Sequence, residues 1–289
     1  MDRLETRELA YFVAVAEELH FGRAARRLGM AQPPLSRAIQ RLERRMGMAL
    51  LERTSRAVSL TPAGVVLLAE SRTALDAVDA AVRRAQRAGQ DLPRLTVAMK
   101  PEGDAGLLEG ILPLYRRDPD AIEIEVVVSG IGEQVRMLRD GRVDLALLPG
   151  HDDLTGFDTE VLLILDQVVV LPRGHRLADR DALVLADLDD EPNLHVPGAG
   201  SAAASGPAVR DVGQLMQLVA LGQAIALVPE SVRRNVRSDV VCVPVLDAPQ
   251  TAILLAWPER TRSRAVAAFV RASTEVAAAR AADDYSVQL

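Results

Sequence analysis

The 289-residue chain has one cysteine, Cys242, and one lysine, Lys100. A lone cysteine excludes an internal disulfide, and its place in an aliphatic strand pattern argues against a thiol switch. The four histidines (His20, His151, His175, His195) lack metal-ligand spacing. No nucleophile–base pairing, phosphate loop or cofactor fingerprint is present, so the chain is expected to be no enzyme and to use no cofactor or metal. It also lacks any run of about 18 apolar residues and any charged-then-apolar leader, so a soluble, cytoplasmic chain with no membrane partner is expected. Arginine replaces lysine almost everywhere, which base composition of a genome explains by itself.

The net charge of −6 hides a division. Residues 1–90 carry 15 arginines against 10 acidic residues, a net +5; the remainder carries 19 basic against 30 acidic, a net −11. Within residues 20–62, nine arginines face two glutamates, a net +7. One concentrated basic segment on an acidic body suits a nucleic-acid-binding head.

That segment contains FGRAARRLGMAQPPLSRAIQ, Phe21 to Gln40. It reads as two short helices joined by a tight turn, with Ala24, Ala25 and Leu28 on one face and Gly29 at the left-handed bend. Proline suits the first helical turn, so the second helix opens at Gln32-Pro33-Pro34. Leu35, Ile39, Leu42 and Met46 then recur as a buried stripe, opposite Ser36, Arg37, Gln40, Arg41 and Arg44. This spacing lets a helix-turn-helix present its second helix to the major groove of double-stranded DNA. The alternative is an ordinary helical hairpin with a solvated basic face. Residues 4–19 add an amphipathic helix with Leu9, Phe12, Val13 and Ala16 on one side.

Leu50-Leu51 and Val58–Leu60 flank a polar turn carrying Arg53, Thr54, Ser55 and Arg56, the pattern of a β-hairpin wing. Arginines there would lie against phosphate or the minor groove. The DNA-reading set is therefore expected to be Gln32, Pro33, Pro34, Ser36, Arg37 and Gln40, with Arg53 and Arg56 from the wing. Thr61-Pro62 starts a long helix that runs to about Ala88 and stops at Gly89 and Pro93. Leu68, Leu75 and Val82 recur every seven residues, with Val65, Ser71 and Val78 between them, a seam that can pair with its own copy. A dimer on this helix predicts an operator that is an interrupted inverted repeat.

The stretch HFGRAARRLGMAQPPLSRAIQRLERRMGMALLERTSRAVSLTPAG closely resembles the amino-terminal signature of LysR-type transcriptional regulators. The pattern AA..L..(A)QPPLS..I..LE...G..LLER..R.V.LT.AG covers residues 20–64. Its LHFGRAA and QPPLS wording is closest to members that sense metabolites of aromatic degradation. The resemblance implies a dimeric or tetrameric regulator, with RNA polymerase among its partners, whose DNA binding responds to a small molecule.

From residue 94 strands and helices alternate. LTVAM (95–99), IEIEVVV (122–128) and VDLALL (143–148) read as strands, with helices at 105–117 and 131–140 between them. This order implies a parallel sheet. VLLIL (161–165) and VVVL (168–171) follow, then LHV (194–196), a helix at 212–221, IALV (225–228) and VVCVPV (240–245). ILLAW (253–257) returns, and a helix at 262–282 closes the chain. A chain that leaves one sheet and comes back suggests two lobes with a cleft between them. SG....V..LRDGRVDLAL, VVLPRGHRLA and ALGQAIALVPES are similar to LysR-type fragments, which implies an effector domain like periplasmic solute-binding proteins. A free-standing solute-binding component is the second reading, disfavoured by the basic head and the missing export signal.

The expected fold class is thus α/β with an all-α winged helix-turn-helix head. The expected domains are 1–61 (DNA-binding), 62–90 (linker and dimerisation helix) and 91–289 (effector-binding), with lobe I at 91–165 and 254–289 and lobe II at 166–253. Hinges are expected near Leu165-Asp166 and Ile253-Leu254. Ligands bind at strand ends facing such a cleft, here Lys100, Pro101, Ser129, Gly130, Pro149, Pro197, Gly198 and Pro229. Lys100 is a candidate counter-charge for an anionic effector; the bland alternative is a solvated lysine. Two departures from the family stand out. Lys100-Pro101 replaces a hydroxyl residue common after the first effector-domain strand, and PGAGSAAASGPAVR (197–210) is short where relatives fit a helix. The second leaves open a constitutive regulator whose second lobe is too open to hold ligand.

Overall fold

The computed structural model describes residues 4–53, 57–89, 92–150, 153–191, 194–195, 209 and 211–287. They form two compact units, one of residues 1–86 with 139–141, the other of 87–138 with 142–289.

The first unit starts with helix α1 (Thr6–Glu18), followed by α2 (Phe21–Arg27) and α3 (Gln32–Met46). His20 caps α2: its Nδ1 accepts from the N–H groups of Gly22 at 3.0 Å and Arg23 at 3.2 Å. Gly29 takes φ +64° in the turn, as a left-handed bend demands, and Gly47 takes φ +70° after α3. Phe12 and Val15 of α1 bury against Ala24 and Ala25 of α2 and Leu35, Ile39 and Leu42 of α3. Val13 is only half-buried; Val15, three residues after Phe12 and on its face, is buried in the core instead. Strands β1 (Leu51–Arg53) and β2 (Val58–Leu60) pair antiparallel as the expected wing.

Helix α4 spans Pro62–Ala88. Thr61 caps it, accepting from the Gly64 N–H at 3.0 Å while its hydroxyl donates to the Ala49 carbonyl at 2.9 Å. A Cβ on Gly64 would collide with the Leu50 carbonyl. The LT.AG signature is therefore a docking joint between α4 and the wing. The expected seam is not uniform. Leu68 packs on the head's own core, Ser71 is buried and Leu75 half-buried, while Val65, Val66, Val78 and Val82 are exposed.

The second unit contains two sheets. Strands β3 (Arg94–Met99), β4 (Glu123–Val128), β5 (Leu145–Pro149), β6 (Phe157–Leu165) and β11 (Thr251–Pro258) form one, in the order β4-β3-β5-β11-β6. β3 runs parallel to β4 and β5, as expected, and the returning β11 is antiparallel to β5 and β6. Helices α5 (Leu108–Tyr115) and α8 (Arg264–Val287) cover one face, where the Tyr115 and Phe269 rings meet edge-on at 5.6 Å. Short α6 (Gln134–Arg139) covers part of the other. Strands β7 (Gln167–Pro172), β8 (Leu194–His195), β9 (Ile225–Pro229) and β10 (Val240–Pro244) form the second sheet, in the order β10-β7-β9-β8, with α7 (Val212–Ala220) on one face. Among the described residues only β8 and β9 are parallel in that sheet.

Three expected boundaries move. Helix α5 begins at Leu108 rather than Ala105, because Glu102, Ala105 and Gly106 all take positive φ and wind residues 101–106 into turns. Helix α6 begins at Gln134, after a turn through Gly132 at φ +77°. The second crossing lies ahead of β11, since Ile253 and Leu254 are already paired on both sides within it. The two crossings clamp one another: Gln250 donates to Asp166 at 2.8 Å and Gln167 to the Thr251 hydroxyl at 2.6 Å.

Candidate DNA interface and effector cleft

The outward face of α3 carries Gln32, Pro33, Arg37 and Gln40 exposed, with Pro34 and Ser36 half-buried. Arg41 and Arg44 continue the same exposed face.

The basic charge of this segment is divided by ion pairing. Arg27 pairs with Glu17 at 2.7 Å, Arg23 with Glu18 at 3.2 Å, and Arg45 with Glu8. Burial works against ionisation of Glu8 and Glu17, yet Arg45 on one side and Arg72 with Arg27 on the other hold both carboxyls below the usual carboxylate range. Among the described residues Arg26, Arg37, Arg41 and Arg44 make no ion pair and no side-chain hydrogen bond. The first group braces α1 against α2 and α3; the second is exposed to an outside anion, with Arg41 also helping to hold the Glu8 carboxyl ionised.

Arg53 belongs with the bracing group. Its guanidinium pairs with Glu43 at 2.8 Å and lies over the Phe21 ring, 4.9 Å from the centroid. Glu43 also accepts from the backbone N–H groups of Leu50 at 3.0 Å and Leu51 at 3.2 Å. One carboxylate on α3 thereby fixes the start of the wing, and Arg53 carries the link back to α2. Reasoning from sequence placed Arg53 at the wing tip and gave Glu43 no role; its only signal was the LE of the family pattern. Arg56, also assigned to the wing tip, lies outside the described residues.

In the second unit, Lys100, Pro101 and Pro229 come together around a small cavity of about 40 Å³. Glu102, Gly103, Ile131, Val212, Leu215, Val228, Ser231, Val232 and Ile253 complete its lining. Most of these are apolar groups at strand and helix ends, which the sequence does not mark out; Ser231 lies in the VPES fragment. Asn235 crosses the cleft and donates to Glu102 at 2.7 Å. Ser129 and Gly130 are not in the lining: the Ser129 hydroxyl and the Gly130 carbonyl both accept from the buried Gln134 amide, at 2.8 and 2.9 Å. Pro149 is also outside it, buried at the end of β5 opposite Ile253. Pro197 and Gly198 lie outside the described residues. The 197–210 stretch, on which the expectation of an open second lobe rests, lies outside the described residues apart from Val209.

A winged helix-turn-helix joined by a long helix to a two-sheet domain with a cleft defines a ligand-responsive regulator of transcription. The family model "Bacterial regulatory helix-turn-helix protein, lysR family" matches residues 6–65, and "LysR substrate binding domain" matches 88–278. The HTH-type transcriptional regulator YnfL of Escherichia coli (strain K12) is 33% identical over 89% of this chain and 93% of its own. The full-length BenM structure is 30% identical with a TM-score of 0.52, covering 96% of this chain and 98% of that one. Full-length CbnR complexed with its target DNA is 25% identical with a TM-score of 0.51, covering 95% and 100%. The chain belongs to the LysR family: it is a DNA-binding transcriptional regulator with an effector-binding domain. No helix among its described residues is long and apolar enough to cross a membrane.

Removing the Glu43 carboxylate strands two backbone N–H groups and the Arg53 guanidinium. Glu43→Ala is expected to cost the head about 1–3 kcal/mol, read by urea unfolding of the full chain. A change under about 0.5 kcal/mol, the range of ordinary surface substitutions, would remove Glu43 from this role.

Proposed function

We propose that the chain works as a dimer or tetramer and reads double-stranded DNA at an interrupted inverted repeat. Each copy lays α3 in a major groove through Gln32, Pro33, Pro34, Ser36, Arg37 and Gln40, with Arg56 on phosphate and Arg53 holding the wing in place. The observation that carries this reading is the exposed face of α3, where Arg37 and Arg44 have no partner among the described residues and Arg41 makes no ion pair, its charge acting only at a distance on Glu8. The domain division is 1–61, 62–90 and 91–289. Helix α4 pairs the copies through Leu75 and Val82, joined by the exposed Val78, while Leu68 serves chiefly the head's own core. The protein acts by binding rather than catalysis, in the cytoplasm, with RNA polymerase as a further partner.

A mobility-shift assay on the gene's own upstream region tests the interface. Arg37→Ala is expected to weaken specific binding by about 1–3 kcal/mol and relax sequence preference, as the loss of a base contact does. Arg27→Ala, whose charge is held by Glu17 and Glu18, is expected to leave DNA affinity unchanged. Equal effects of the two would contradict the assignment.

The effector is a small anion held at the cleft beside Lys100. A volume of about 40 Å³ is far below the roughly 300 Å³ at which ligand pockets begin, so binding selects a wider cleft in which Asn235 has released Glu102. Calorimetric titration with small carboxylates is expected to give saturable heat that Lys100→Ala abolishes while DNA binding without effector stays intact. No binding by any carboxylate, alongside normal DNA affinity, would instead mark a constitutive regulator.

A further inference from the structure

A second cavity, apart from the cleft, lies in the second unit. It measures about 660 Å³ and lies over the leading ends of β3 and β4. Helix α6 has only six residues, and its Val135, Met137 and Leu138 pack over Ala98 and Ala146, farther along the same sheet. Ligand pockets run from roughly 300 to 1,000 Å³, so this space is large enough for a metabolite.

Its chemistry is mixed in a particular way. Val127, Met137 and Leu92 supply an apolar surface. Thr96 is 6% exposed and lines the cavity, yet its hydroxyl makes no hydrogen bond within the described residues. Directly across the strand pair from Thr96 stands Glu125, whose carboxylate has neither an ion pair nor a hydrogen bond among the described residues. Arg94 lies two residues before Thr96, on the same face of β3. It contacts Glu123 only through Nε, at 3.2 Å, with both side chains about half exposed. That weak pair leaves the terminal guanidinium nitrogens for another anion.

We propose that this cavity is a second small-molecule site, distinct from the cleft, and that it takes an apolar α-amino acid. The ligand carboxylate meets Arg94 and the Thr96 hydroxyl, its ammonium group meets Glu125, and its side chain lies on Val127 and Met137. A plain carboxylate would be repelled by Glu125, and a plain amine by Arg94, Arg87 and Arg142. Only a molecule carrying both charges satisfies both sides. The site also borders the Arg87–Asp144 pair at 2.9 Å, in which Arg87 belongs to the last turn of α4. A bound ligand would therefore bear on residues at the end of the long helix.

The test is calorimetry on the full-length protein with leucine, methionine and phenylalanine, and with the two halves of leucine, 4-methylpentanoate and 3-methylbutylamine. At least one amino acid is expected to bind, and in the leucine series, run on Lys100→Ala protein so that a carboxylate held at the cleft does not count, each half is expected to bind about ten-fold or more weakly than leucine. Thr96→Val and Glu125→Gln keep side-chain shape and are each expected to weaken the amino acid by about ten-fold, the effect of losing one buried or charged hydrogen bond. Lys100→Ala, at the cleft, is expected to leave the affinity unchanged, which separates this site from the effector reading. The proposal is overturned if none of the three amino acids binds, if either half binds as tightly as leucine, or if Lys100→Ala abolishes binding that Thr96→Val and Glu125→Gln retain.

Discussion

One carboxylate organises the head. Glu43 sits on the inner side of α3, 17% exposed, and spends both oxygens on the wing: two backbone N–H groups on one, the Arg53 guanidinium on the other. Arg53 in turn covers Phe21, the first residue of α2. Recognition helix, wing and supporting helix are thus closed into one circuit by a side chain that touches no ligand. A buried charge in such a place costs desolvation, and is stable only because every contact it makes is a hydrogen bond to a positive or polar donor. The same region receives α4, whose cap at Thr61 and glycine at Gly64 fit against Ala49 and Leu50.

Charge in the head is divided by the same logic. Acidic residues of α1 and α3 neutralise Arg23, Arg27, Arg45 and Arg53, and these pairs set how the helices cross. Arg26, Arg37, Arg41 and Arg44 are left to the surface. A basic count along the sequence cannot make this distinction, since the partners lie up to 37 residues away in the chain, as Glu8 does from Arg45. A polar face offered to phosphate and base edges is what remains after the internal pairs are formed.

How much was legible in the sequence depended on how local the cause was. Helical periodicity placed Leu35, Ile39 and Leu42 in the core, and glycine chemistry placed the turn at Gly29. The length and spacing of the signature identified the family. The order of strands announced both sheets and the return of the chain at β11. What escaped depended on distant partners or on backbone detail. Ser129 looked like a cleft residue because it ends a strand, but Gln134 turns back and takes its hydroxyl. Helix α5 looked longer because Ala105 is a helix former, whereas the chain winds it to φ +51° ahead of Leu108. Leu68, at a seam position, is drawn into the core of its own head.

The proposed contact with DNA of Arg26, Arg37, Arg41 and Arg44, none of which makes an ion pair among the described residues, is electrostatic. The direct measurement is the salt dependence of affinity for the upstream fragment. Two heads with four arginines each would release about eight counterions, for a log–log slope near −7. A slope in that region, falling by about 2 when one of the four arginines is replaced by alanine in both copies, is the predicted result. A slope no steeper than about −2 would contradict the account.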